Sequence, residues 1–350
     1  MASLSLGNDN TMKHQFRFAI ALLFGAAALF AAGGYHLLKK ISIPGDYGWD
    51  YLTADSDARR LYVSHDKEVV VIDLDTHLIL GKITGDDVHG IAVVKELGRG
   101  YISATDPGSV TVFDLKTLAV VGKVTVGGDP NAIFYDRKTK RIFTIDRASK
   151  RVSAIDPKTN TVVGTVENLG GRTEHAVSDD AGHVFLNMQD LGTLLKIDAQ
   201  TLKVTDTWKL APCEQPSSMD MDRAHNRVFI GCRSGAMTVV DGATGRIVDI
   251  QPIGKGVDAT EFDAGRGLLF FSTGADGMMS VFHEDTPDKY ALVESVKTMP
   301  GARTMAVDRK TGRAYISVSE FGPTPAPTTQ VPRPRPPMLP GTFGVLVLGQ

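Results

Sequence analysis

Pro130-Asn131-Ala132-Ile133-Phe134-Tyr135-Asp136, Arg141-Ile142-Phe143-Thr144-Ile145-Asp146, Arg151-Val152-Ser153-Ala154-Ile155-Asp156 and Thr161-Val162-Val163-Gly164 are four short runs rich in β-branched and aromatic residues. Turns of Asp, Lys, Arg and Asn separate them, so they read as antiparallel strands of one small sheet. The unit recurs along the chain. Its second strand returns as Leu61-Tyr62-Val63-Ser64, Gly100-Tyr101-Ile102-Ser103, Val184-Phe185-Leu186-Asn187, Val228-Phe229-Ile230-Gly231, Leu269-Phe270-Phe271-Ser272 and Ala314-Tyr315-Ile316-Ser317. Its third strand returns as Val69–Asp73, Val110–Asp114, Leu194–Asp198 and Met237–Asp241, with weaker copies at Met279–His283 and Gly344–Leu348. Four strands about every 42 residues make the blade of a β-propeller. No helical period interrupts them, which argues against a parallel α/β sheet. The expected fold is all-β, a seven-bladed β-propeller of four-stranded antiparallel blades. Radial stacking covers the two faces that each small sheet would otherwise expose.

The seventh unit lacks a fourth strand. Leu38-Lys39-Lys40-Ile41-Ser42-Ile43-Pro44-Gly45 matches the fourth strands Val121–Gly127 and Leu80–Gly85. The N-terminal segment is therefore expected to complete the last blade and close the ring, removing open sheet edges. With Asp129-Pro130-Asn131 through Gly164 as its best copy, the repeat resembles the YVTN repeats of YncE-type seven-bladed propellers. The resemblance covers nearly everything after residue 36. It implies an exported binding or scaffold protein. Some family members are reported to bind DNA, and related propellers include lactonases and lyases.

The 350 residues are 42% hydrophobic and 22% charged, a globular composition that excludes collagen-like, disordered and polytopic membrane chains. Lys13, His14 and Arg17 precede an apolar run from Phe18 to Ala32 that ends in Gly33-Gly34. That order reads as a signal peptide over residues 1–34, with Met12 a candidate start and Ala31-Ala32-Gly33 a cleavage site. An uncleaved membrane anchor is the alternative, although the run falls short of the roughly 20 residues a span needs. The expected location is periplasmic or secreted, and the expected state is a monomer with one propeller domain over residues 35–350. Lys and Arg number 38 against 40 Asp and Glu. Removing the leader leaves 36 against 39, a net charge of −3, which argues against a bulk nucleic-acid-binding field.

First strands of a propeller begin, and second strands end, at one mouth of the central channel. Aligning the units on Asp55, Lys95, Asp136, Asp180, Asp222, Asp263 and Asp308 places Asp50, Gly90, Asn131, His175, Ser217, Asp258 and Arg303 at that mouth. Trp49, His89, Pro130, Glu174, Pro216, Val257 and Ala302 come one position earlier. Polar variety at positions where the fold tolerates small residues is the functional signal. The candidate ligand-binding set is Trp49, Asp50, His65, His89, Asn131, Asp146, Glu174, His175, Arg233, Asp258 and Arg303. Arg303, with Arg233 and Arg172 beside it, reads either as a clamp for a carboxylate or phosphate or as solvated rim charges. Trp49 either stacks on a ligand or packs beside the closing strand. His65, His89 and His175 map to the same face and, with Glu174 or Asp258 nearby, are candidate ligands for a divalent metal. They also read as hydrogen-bonded structural histidines. His89, His175 and Glu174 are the candidate acid–base residues if the protein is an enzyme. The Asp residues that end third strands read as turn caps.

Cys213 precedes the first strand of the fifth unit and Cys232 ends its second, so the two are expected to form a disulfide. A Pro-rich insertion, residues 321–342, interrupts the seventh unit on the candidate face. It favours an extended polyproline conformation and reads as a lid, a contact for a partner protein, or a disordered loop. The function expected from all this is an exported binding module for a small molecule, peptide or protein at the channel mouth. The alternatives are a lyase or lactone hydrolase, with or without a metal, and then a nucleic-acid binder. No cofactor is certain.

Overall fold

The computed structural model describes residues 33–46, 48–332 and 334–350. The expected signal peptide lies outside them, apart from Gly33 and Gly34. From Gly34 onward the chain forms one unit built almost wholly of antiparallel strands. Among the described residues no helix is long and apolar enough to cross a membrane.

Strand pairing organises the chain as a β-propeller, with one correction. It has six sheets, five of four strands and one of six, so six blades stand where seven were expected. The difference lies in the first two repeat units, which share a ladder. Arg60–Asp73 runs through the second and third strands of the first unit as one strand, and within it Asp66 pairs with Val88. Ile79–Val94 likewise takes in the fourth strand of the first unit and the first strand of the second. Asp66 and Asp87 adopt φ of 54° and 47° at the changes of direction, a conformation Asp tolerates better than most residues. Pairing therefore passes from Leu52–Asp55 to Arg99–Ala104 without a break. The two units still bury an apolar cluster between them, Tyr62, Val69 and Val71 against Ile102 and Phe113.

Closure follows the expected route. His36–Ser42 pairs antiparallel with Gly344–Gly349, and the last sheet runs in the order first strand of the chain, last strand, Arg313–Val318, Met305–Asp308. Ile41 and Ile43 then join Phe343, Val345 and Tyr315 in a cluster with Leu61, Val63, Val70 and Ile72 of the first unit. Polar bonds run alongside these apolar seams. Tyr101 Oη donates to Pro157 O (3.1 Å), Arg141 Nη1 to Ala199 O (2.9 Å), Lys196 Nζ to Gly242 O (3.0 Å) and Arg227 Nε to Pro287 O (3.1 Å). Tyr315 Oη closes the series on Leu74 O (3.3 Å). Within the blades, Asp73, Asp114, Asp198 and Asp241 each accept from the backbone N–H and hydroxyl of a Thr three residues on, which makes them turn caps.

Cys213 and Cys232 are joined by a disulfide across a 19-residue separation, with a Cα–Cα distance of 5.5 Å. A loop of this length corresponds to roughly 3 kcal/mol in the chain-entropy model. In the Pro-rich insertion, Phe321 bridges Met338, Gly322 N donates to Pro337 O and Leu339 N to Glu320 O, so the segment leaves and returns through a paired neck. Ile43, 1% exposed in the closing cluster, offers a direct test of the seam. Ile43→Ala should destabilise the protein by about 2–4 kcal/mol in chemical denaturation. A loss below about 1 kcal/mol would mean that closure does not carry the stability of the ring.

Candidate functional site

A register shift marks the start of most first strands, at Val88/Ile91, Pro130/Ala132, Thr173/Ala176, Pro216/Ser218 and Val257/Ala259. Bulges of this kind re-aim side chains and end the regular ladder. Here they release polar residues toward the channel mouth, where a funnel of about 940 Å³ opens. Trp49, Asp50, His89, Asn131, Glu174, Ser217, Arg233, Asp258 and Arg303 line it, and Arg172 joins them. Arg335 of the Pro-rich insertion also reaches its wall.

The funnel's acids are held in place. Asp50 Oδ2 lies 2.6 Å from His89 Nδ1 and accepts from Asn131 Nδ2 at 3.2 Å. Tyr51 Oη donates in turn to Asn131 Oδ1 (3.3 Å). Glu174 Oε1 accepts from Arg147 Nη2 at 2.8 Å, while Arg147 Nε and Arg172 Nε lie 2.7 Å and 3.7 Å from Oε2 without a hydrogen bond to it. Asp258 accepts from Arg233 Nη1 (2.8 Å) and Ser217 Oγ (3.2 Å), and Arg303 Nε lies at 3.6 Å. Arg303 sits over the Trp49 ring, 5.1 Å from its centroid, and Phe343 stacks on Trp49 at 5.1 Å. Trp49 thus packs beside the closing strand while it lines the funnel.

Burial sets the titration of this group. Desolvation pushes Glu174 from 4.5 up to about 7, although Arg147 pulls the other way. Burial works against the His89 imidazolium, but the Asp50 and Asp87 carboxylates together outweigh it and raise the pKa.

A second cavity of about 220 Å³ lies along the channel and shares Tyr51 and Asp258 with the funnel. His175 lines it, together with Asp220, Arg223, Glu261 and Arg309. Desolvation lowers the His175 pKa and raises that of Glu261, the latter against Arg309. Arg309 Nη2 reaches Asp220 Oδ2 at 3.4 Å and Glu261 Oε2 at 3.6 Å.

The candidate residues divide between these places. Glu174, not its neighbour His175, faces the funnel, because the bulge offset moves the equivalent position by one. His65 is buried beneath the mouth, stacked on Phe343 at 4.5 Å with Glu68 Oε1 3.6 Å from Nδ1. Asp146 lies outside both cavities and pairs with Arg151 Nε at 2.5 Å, and burial pushes its carboxyl to about 6. His65, His89 and His175 therefore do not converge on one ion. Among the described residues, the group whose ligand atoms lie within 4.8 Å of one another is Asp222, His225 and Glu284. Sequence reasoning missed Arg147, Gln189 and Arg335. Gln189 follows its second strand in the same register as Arg233, so extending that alignment through every unit would have found it. Arg335 has no counterpart in other units.

Residues 58–224 match the family model of a domain of unknown function, DUF5074. No curated protein matches the chain. Among solved structures it is similar to a chain of Kuenenia stuttgartiensis hydrazine synthase, at 15% identity and a TM-score of 0.67, over 78% of this chain and 94% of that one. It is also similar to a chain in a crystal structure of the mitotic checkpoint complex, at 13% identity and a TM-score of 0.70, over 87% and 96%. At these identities the likeness is one of fold. The fold is the β-propeller. It is commonly used as a binding module.

Glu174 gives the site a stability signature. Its folded pKa of about 7 exceeds the ordinary 4.5. Between those values the native state holds a proton that the unfolded chain has released, so this group's contribution falls as pH rises through that window. Relative to the parent, Glu174→Gln should gain thermal stability as pH rises from about 4.5 to about 7, and level off above. Melting curves that differ by a constant amount across the range would contradict the assignment.

Proposed function

We propose that the chain is an exported binding module, akin to the YncE-type propellers, that holds a small-molecule, peptide or protein ligand in the funnel. The observation that carries this reading is the set of hydrogen-bonded, oriented charges on a concave wall of about 940 Å³. A ring needs no such residues for its packing, whereas fixed polar groups reduce the ordering cost of binding. Export draws support from the N-terminal sequence pattern and from the Cys213–Cys232 disulfide, a bond that persists in oxidising compartments. The Pro-rich insertion, through Arg335, is suited to act as a lid on the occupied funnel. Proton-transfer chemistry is less well supported. Glu174 is engaged by Arg147, and His175 lines the other cavity.

A thermal-shift screen of the full chain against small-molecule and peptide libraries tests the reading. A ligand at a hundredfold over its Kd should stabilise by about 2.7 kcal/mol. Arg233→Ala and Asn131→Ala should each remove most of that shift. Ligands that stabilise both variants as fully as the parent would bind elsewhere and overturn the proposal.

A further inference from the structure

The funnel's charges are layered. Glu174 and Asp258 have side chains 10% and 19% exposed, whereas Arg147, Arg172, Arg233 and Arg303 are 35%, 44%, 36% and 39% exposed. Each carboxylate therefore lies behind a pair of guanidiniums, and a molecule entering the funnel meets the cations first. A guanidinium carries five N–H donors. The contacts to Glu174 and Asp258 leave several unused on each arginine. Arg335 adds a fifth guanidinium, with no ion-pair partner among the described residues. Five arginines thus face Asp50, Glu174, Asp190 and Asp258. The two arginine pairs occupy separate positions, on Glu174 and on Asp258, so a ligand that satisfies both must carry more than one anionic group. Arg147 already donates from Nη2 to one oxygen of a carboxylate, and its Nε, buried and without a hydrogen bond although 2.7 Å from Oε2, is a second donor that a better-aligned carboxylate can take up.

Resting on the reading of the funnel as a binding site, we propose that its ligand is a small polycarboxylate, one of whose carboxylates replaces Glu174 on Arg147 while Glu174 takes up a proton. In this exchange the Arg147–Glu174 ion pair gives way to an Arg147–ligand pair. One proton from solvent forms an O–H bond on Glu174, and no other covalent bond changes. Glu174 faces Arg147, Arg172, Arg233 and Asp258, with Tyr51 and His175 close by. It is the member of this group with a carboxyl raised to about 7, so protonation is accessible near neutral pH. His89, on Asp50, gains charge in the same direction as pH falls, and the test separates the two.

The probe is benzene-1,3,5-tricarboxylate, which stays ionised between about pH 6 and about pH 8, measured by titration calorimetry on the full chain. The protonated fraction of a group with pKa about 7 falls about tenfold over that range, and the affinity should fall with it. At pH about 7, titrations in buffers of different ionisation enthalpy should show uptake of about half a proton per ligand. Glu174→Gln should bind as tightly as the parent at low pH and lose the pH dependence. His89→Gln should keep it, and Arg147→Ala should lose binding. Equal affinity at both pH values, a slope that survives in Glu174→Gln, or inorganic sulfate binding as tightly as the tricarboxylate would each overturn the proposal. If the tricarboxylate fails to bind while ligands from the library screen are still lost in Arg233→Ala, this inference falls and the funnel reading stands.

Discussion

The pairing of His36–Ser42 with Gly344–Gly349 is the constraint on which the remaining geometry rests. A blade buries little by itself; its faces are covered by neighbours, and the first and last units gain that cover only when the ring shuts. Ile41 and Ile43 bring apolar side chains into the seam, and Tyr315, Phe343, Leu61 and Val63 complete it. Trp49, six residues after Ile43, stacks on Phe343. It also supports Arg303 from below. The hydrophobic seal and one wall of the polar funnel are thus consecutive parts of the same segment.

The funnel is a case of charge placed where the backbone has already been disturbed. Bulges at the starts of the first strands free one residue from the ladder at Asn131, Ser217 and Asp258 and two at His89–Gly90 and Glu174–His175, and polar side chains occupy most of these positions. Burying carboxylates there is tolerable because each is paired and hydrogen-bonded, Glu174 by Arg147 and Asp258 by Arg233 and Ser217. The raised pKa of Glu174 shows that compensation by Arg147 is incomplete. A carboxylate left partly uncompensated is easily neutralised, and that makes the pair responsive where a surface salt bridge would be inert.

Much of the fold was legible because alternation and turn chemistry repeat in every unit. The strand endings at Asp73, Asp114, Asp198 and Asp241, the closing segment around Ile41 and the Cys213–Cys232 pair all follow from local rules. The sheet count did not, because Val88 pairs with both Asp66 and Ala104 and so joins the first two units in one ladder, whereas links of the same length in other units leave their sheets separate. Periodicity alone does not distinguish a short break from none. At the site, Asp50, His89, Asn131, Glu174, Arg233, Asp258 and Arg303 line the funnel. His175 lines the second cavity instead, since a one-residue bulge offset decides which neighbour faces the funnel, and His65 is buried within the continuous strand Arg60–Asp73. Arg335 was out of reach of any alignment, because it comes from an insertion peculiar to one unit.

His36 and Gly349 are direct partners in the last ladder, so the two ends of the folded unit lie side by side. The ring therefore has no structurally privileged starting point. A short peptide could join those ends, and new ones could be opened in the exposed turns after Asp114, Asp198 or Asp241, leaving every interface between units intact. The order in which blades leave the ribosome is then separable from the order in which they sit around the channel. Rearranged versions of the gene would reveal whether synthesis beginning in the last blade matters for assembly.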